Sequence, residues 1–276
     1  EVKSLSDSTI KYYKTCYQRY LINFLEKDSL IKEIDNNTVE EFILFLKGNY
    51  ELNNTSINTR LRGFRAMVNY WAELGYMNKV KVPMLKTKEK VKEVYRQEEL
   101  KKLLRKPDLD NCSFVEYRSF VIVNYLLATG NRISTLTEIK IKDLDFDSGY
   151  ITLRHTKNRQ QQVIPLSSRL SEVLREYLQY RQHESKEEHL FCTVEGKKMK
   201  AETVKRSIYR YNKDRGVEKT SCHMFRRNFA KNYIKSGGDL FRLKSLLGHK
   251  TLEMVKEYVS MFGEDLKEDF DSLNVL

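Results

Sequence analysis

From the amino end, apolar residues recur at helical rather than alternating spacing. Ile10, Tyr13, Tyr17, Tyr20, Phe24 and Leu25 follow the N-cap candidates Ser6 and Ser8 and predict a first helix. Asn37 and Thr38 precede Val39, Phe42, Ile43 and Leu46, a second helix with Gly48 as its stop. Ile57, Leu61, Phe64, Val68 and Trp71 predict a third, closed by Gly75, whose other face is assigned Arg60, Arg62 and Arg65. Residues 1–78 therefore read as an all-α module with a basic side. The periodicity then stops. Lys79, Lys81, Lys86, Lys88, Lys90 and Lys92 surround Pro83 in a stretch without helical pattern, so 79–94 reads as a basic interdomain linker, either solvated or laid along phosphates.

A second domain, 95–263, opens with a short helix, Gln97–Leu104. Phe114–Ala128 is apolar nearly all round and predicts a buried central helix. Tyr150–Leu153 and Gln162–Leu166 predict two short strands joined through His155–Gln161. Helices are expected at Arg169–Arg181, Ala201–Asn212, Met224–Lys235, Leu240–Leu247 and Thr251–Ser260. The fold class is mainly α with a small β element. Residues 264–276 form an acidic tail in which Leu266, Phe270 and Leu273 keep helical spacing.

Composition sharpens this picture. The 276 residues suffice for two cores, and three prolines, against about fourteen at average usage, favour helix. Lys+Arg of 50 against Asp+Glu of 38 leaves +12, which points to a polyanionic partner. Cys16, Cys112, Cys192 and Cys222 form no C-x-x-C pair, so neither a disulfide framework nor a zinc knuckle is expected and a reducing cytoplasm fits. No apolar run reaches about 18 residues and no signal peptide opens the chain, so no membrane association is expected. The sequence begins at Glu1 rather than Met, which suggests a processed or truncated product.

Phosphate-binding glycine loops and the H-E-x-x-H metal motif are absent, and His183 and His189 read as surface histidines; no cofactor or metal is expected. What remains is a polar set within apolar helices. Arg132 follows Ala128-Thr129-Gly130-Asn131, His223 and Arg226 share a helix face, and His249 follows Gly248 with Tyr258 nine residues on. Taken singly, each has an ordinary structural reading.

Taken together, Thr129-Gly130-Asn131-Arg132-Ile133-Ser134, His223-Met224-Phe225-Arg226, Leu247-Gly248-His249 and Glu257-Tyr258 resemble the tyrosine recombinase/integrase family in order and spacing. The resemblance runs through the whole chain. It implies a helical core-binding, SAM-like N-terminal domain followed by a mixed, mostly helical catalytic domain, the two clamping duplex DNA. It implies Arg132 and Arg226 as the pair gripping the scissile phosphate, Tyr258 as nucleophile, His249 at the family's His/Trp position and His223 at the first position of His-x-x-Arg. Lys157, in His155-Thr156-Lys157-Asn158 before Val163-Ile164-Pro165-Leu166, matches the family's hairpin lysine, with Arg159 a weaker rival. Two positions depart from the pattern: Thr135 stands where an acidic residue is common, and Arg227 where histidine is.

The chemistry is consistent with these groups. Two planar guanidiniums can stabilise charge developing on non-bridging phosphate oxygens without a metal. A lysine ammonium can protonate the leaving oxygen, and a phosphotyrosine conserves the bond so that no ATP is needed. The expectation is a site-specific DNA recombinase of integrase/excisionase type, acting through a 3′-phosphotyrosyl intermediate and a four-way junction, serving a mobile element of bacterial or phage origin. Its partners would be duplex DNA carrying specific sites, three further copies in a tetramer, with the tail docked in trans, and accessory DNA-bending or directionality proteins. DNA contacts are assigned to Arg60, Arg62, Arg65, Lys86, Lys88, Lys90, Lys92 and Arg227. The alternatives are a Xer-like dimer resolvase, a type IB topoisomerase-like enzyme and a catalytically inactive DNA-binding regulator.

Overall fold

The computed structural model of the protein describes residues 5–25, 30–87, 93–154, 161–249 and 251–255. Lys88, Lys90, Lys92, Lys157, Arg159, Tyr258, the tail 264–276 and the second half of the expected Thr251–Ser260 helix lie outside them. The chain divides into two compact units, Glu1–Lys90 and Val91–Leu276.

In the first unit α1 (Asp7–Cys16) is capped by the Ser6 hydroxyl, as its sequence predicts, and runs into a π-helical turn, Tyr17–Leu21. That turn brings Tyr20 and Leu21 into the core. Helix α2 (Asn36–Asn49) starts one turn earlier than its apolar residues suggest. Asp35 is the cap: its carboxylate accepts from the Thr38 amide at 2.8 Å, and the Thr38 hydroxyl accepts from the Asp35 amide. These hydrogen bonds hold the Asp35 pKa below the usual carboxylate range. Gly48 does not end α2 but lies within its last turn. Helix α3 (Asn54–Glu73) buries Ile57, Leu61, Phe64 and Val68 against Phe42 and Leu46 of α2.

Two expectations for this unit change. Arg60 does not share the outer face of α3 with Arg62 and Arg65. Two residues along an α-helix turn by roughly 200°, so Arg60 points the other way. Its guanidinium lies over the Tyr20 ring at 4.8 Å and donates to the Tyr20 hydroxyl at 3.1 Å, while Arg62 and Arg65 are exposed. The stretch after Lys79 is also not a free strap along its described length. Val80, Val82, Met84 and Leu85 pack on the first core, and Asn58 pairs with both backbone groups of Leu85, accepting at 2.8 Å and donating at 2.9 Å. The side chains of Lys79, Lys81 and Lys86 remain exposed.

The second unit is built round α5 (Phe114–Thr129), buried on nearly every side, as its all-round apolar sequence requires. Against it pack α7 (Ser168–Arg181), α8 (Ala201–Asp214) and α9 (Cys222–Lys235), while α4 (Gln97–Leu103) adds Leu100 and Leu103 to the same core. After α5 comes α6, one turn at Ile133–Leu136. An antiparallel sheet follows, β1 (Leu144–Asp145), β2 (Tyr150–Leu153) and β3 (Gln162–Pro165), in that spatial order. The pairs Ile151–Ile164 and Leu153–Gln162 set the hairpin register. At two residues, β1 is too short to show a period in the sequence. Helix α10 (Leu240–Leu247) packs Leu243 and Leu247 against Ala230 of α9. No described helix is long and apolar enough to cross a membrane.

Candidate active site

Two left-handed glycines bring the site together. Gly130 (φ 61°) ends α5 and Gly248 (φ 60°) ends α10, conformations that a residue with a Cβ adopts only at a cost. Gly130 also lacks room for a Cβ, which would stand 2.5 Å from Phe229 Cδ1 and 2.9 Å from Leu247 Cδ2. The ends of α5 and α10 thus converge on α9, presenting carbonyls that have no partner within their own helices.

Arg226, on α9 and 5% exposed, takes two of those carbonyls. Nη1 donates to Gly130 O at 2.8 Å and Nη2 to Leu247 O at 2.7 Å. Nη2 also lies 2.6 Å from His249 Nε2. A guanidinium has donors only, so Nε2 accepts, leaving the neutral ring with its hydrogen on Nδ1. Burial, then the Arg226 and Arg132 charges, push the His249 pKa down to about 4.

Arg132 is the residue that caps α6, just past the Gly130 turn, and is half-buried. Its charge reaches both His249 and His223. Among the described residues its guanidinium has no hydrogen-bond or carboxylate partner. His223 sits in the first turn of α9 and is exposed. Partial loss of solvent round the ring, then Arg227, Arg226, Lys205 and Arg132, lower its pKa and so favour the uncharged ring. Helix α9 is itself held by the segment before α4: Tyr95 stacks on Phe225 at 4.7 Å and donates to Ser221 O at 3.2 Å, while Asn228 pairs with both backbone groups of Tyr95.

The structure therefore brings Arg132, His223, Arg226 and His249 to one place. Arg227 is partly buried, with Nη1 donating to Glu93 O at 3.0 Å. Two features escaped the sequence reading. Lys205 lies close enough to bias His223, and it begins an exposed stripe on α8 with Arg206, Tyr209 and Arg210. Their spacing of three and four residues, opposite buried Val204, Ile208 and Tyr211, was the available signal. The other is Gln162, at the start of β3, whose amide reaches α10. No local pattern announces that contact.

Comparison with known proteins adds the family. Residues 93–264 match the phage integrase family and residues 1–91 the phage integrase SAM-like domain. A tyrosine recombinase of Pseudothermotoga lettingae is 26% identical over 280 residues, covering 100% of this chain and 94% of that protein. Tyrosine recombinase XerC of Staphylococcus aureus is 26% identical over 276 residues, covering 96% and 90%. Among solved structures, a lambda integrase dimer bound to a COC′ core site shares the fold with a TM-score of 0.72 at 18% identity, covering 92% of both chains. XerH bound to palindromic difH substrate, a post-cleavage complex, does so with a TM-score of 0.75 at 22% identity, covering 95% of this chain and 79% of that one. With its motifs, its two-part fold and both family matches in agreement, this chain belongs to the phage integrase family and is a tyrosine site-specific recombinase.

Proposed function

We propose that the protein cuts and rejoins duplex DNA at specific recombination sites with Tyr258 as nucleophile. Tyr258 Oη attacks the scissile phosphorus and forms a 3′-phosphotyrosyl bond as the bond to the 5′ oxygen breaks. The phenol proton passes to the neutral His223 ring, and the leaving 5′ oxygen takes a proton from the Lys157 ammonium. Ionising a phenol of pKa about 10 at pH 7 costs about 4 kcal/mol, which an uncharged acceptor and a strongly positive field offset. Arg132 and Arg226 face the charge that develops on the non-bridging oxygens, and His249 holds Arg226 in place. The observation that carries this reading is the Arg226 guanidinium, buried and fixed by two backbone carbonyls and His249. A cation fixed before the reaction stabilises a transition state without reorganising.

In this reading 1–78 is the core-type DNA-binding domain, 79–94 the basic connector, 95–263 the catalytic domain and 264–276 a tail docking on a neighbouring protomer. Arg62, Arg65, Lys86, Lys88, Lys90, Lys92 and Arg227, with Lys205, Arg206 and Arg210 of α8, meet DNA phosphates. Four copies on paired sites exchange strands through a four-way junction, with accessory DNA-bending or directionality proteins. The setting is the cytoplasm of a bacterium carrying a mobile element.

A nicked suicide duplex tests the chemistry. The wild-type protein becomes covalently attached, and Tyr258→Phe does not. Attachment retained in Tyr258→Phe overturns the nucleophile assignment. Strand exchange between two sites, rather than relaxation of one supercoiled circle, separates recombination from topoisomerase action.

A further inference from the structure

Helix α10 ends with carbonyls from Lys244 to Leu247 that no residue of the helix can satisfy. Three are covered locally or by the site already described. The Gly248 amide donates to Ser245 O at 3.0 Å, the His249 amide to Lys244 O at 3.0 Å, and Arg226 to Leu247 O. Leu246 O is covered from the sheet. Gln162 Nε2 donates to it at 3.0 Å and to Ser245 O at 2.6 Å. The Gln162 Oε1 atom would stand 3.0 Å from a Cβ on Gly248, so the side chain runs directly along the turn that leads to His249.

We propose that Gln162 is a positioning residue of the active site: its amide fastens the first residue of β3 to the end of α10 and so fixes the Leu247–Gly248–His249 turn against Arg226. One side chain thereby ties the hairpin to the His249 turn, while Arg226 ties that turn to α9 and to the end of α5. Gln162 is only partly buried, and its two amide hydrogen bonds are what link β3 to α10. Without the two bonds, Leu246 O loses its partner and the turn gains freedom where a small displacement moves His249 Nε2 off the guanidinium. Misplacement of about 1 Å in a catalytic constellation is enough to cost on the order of a hundredfold in rate.

The inference rests on the phosphotyrosyl reading for its kinetic arm, so the test has a second arm that does not. Single-turnover covalent attachment to the nicked duplex is compared for wild type, Gln162→Met (equal length, no donor), Gln162→Lys (donor kept), His249→Ala and the double variant Gln162→Met/His249→Ala. The expected result is at least a tenfold slower cleavage in Gln162→Met, with DNA affinity within twofold of wild type. Gln162→Lys recovers to within threefold, and the double variant is no slower than His249→Ala alone. In the second arm, amide hydrogen exchange of the peptide spanning 243–249 is at least tenfold faster in Gln162→Met, with α5 and α8 unchanged. Wild-type cleavage by Gln162→Met, losses that multiply in the double variant, or unchanged exchange over 243–249 would each overturn the proposal. Failure of the wild-type protein to attach to DNA at all would instead sink the phosphotyrosyl reading and leave the exchange arm to decide on Gln162.

Discussion

The two units carry positive charge in different ways. On α3 of the first unit Arg62 and Arg65 stand in solvent, and the side chains of Lys79, Lys81 and Lys86 line the exposed side of the segment beyond it. In the second unit Arg226 is withdrawn from water and held by Gly130 O, Leu247 O and His249. Exposed cations act at a distance, are screened by salt and tolerate imprecise placement. A buried guanidinium must have its donors satisfied, and meeting that demand with backbone carbonyls fixes its position. The first arrangement suits affinity for a polyanion, the second suits stabilising charge at one point.

The largest effect should come from the buried side of this contrast. Arg226→Ala should slow covalent attachment by about 10²–10³-fold, in line with loss of one oxyanion donor, while DNA binding measured by gel shift changes far less. Arg226→Lys should behave similarly, because a single ammonium cannot replace the planar fork. An Arg226→Ala protein that cleaves at the wild-type rate would remove the distinction between the units.

Next in size is a pH effect. His249 has a pKa of about 4 in the folded protein, below the 6.5 of the free side chain, so between those values the unfolded chain binds more protons. Stability is therefore full above about pH 6.5 and is lost as pH falls through 4, by on the order of 3 kcal/mol. Urea unfolding midpoints of wild type should fall over this window more steeply than those of His249→Phe. Parallel pH profiles would show that the ring is not held uncharged.

The smallest effects belong to the first unit and divide its arginines. Arg62→Ala/Arg65→Ala should weaken DNA binding and reduce the salt slope of log affinity by roughly 2, about 0.9 for each phosphate that is no longer neutralised. Arg60→Ala should leave that slope unchanged and instead lower folding stability by about 0.5–1 kcal/mol, because its guanidinium no longer covers the Tyr20 ring. A slope reduced by about 0.9 in Arg60→Ala as well would return Arg60 to the DNA face.

Much of the architecture was legible because it depends on local repetition. The all-round apolar run of α5, the cap at Ser6 and the two hairpin strands are written within a few residues each. Where reading failed, the deciding partner lay far along the chain. Sequence proximity groups Arg60 with Arg62 and Arg65, yet helical rotation and a tyrosine 40 residues earlier turn it inward. Val80 to Leu85 looked like linker because an extended segment packed on a helical core has no period of its own. Gln162 was invisible because its bonds reach 83 and 84 residues ahead.

The site shows the same division. Order and spacing of Arg132, His223, Arg226 and His249 were present in the amino-acid sequence, as was the cationic balance that points to a polyanion. Tertiary structure alone decided that the carbonyls freed at the ends of α5 and α10 are the ones that hold Arg226, and that His249 accepts from it rather than donating. Those carbonyls lack partners within their own helices, and only the packing of α5, α9 and α10 brings one guanidinium within reach of both.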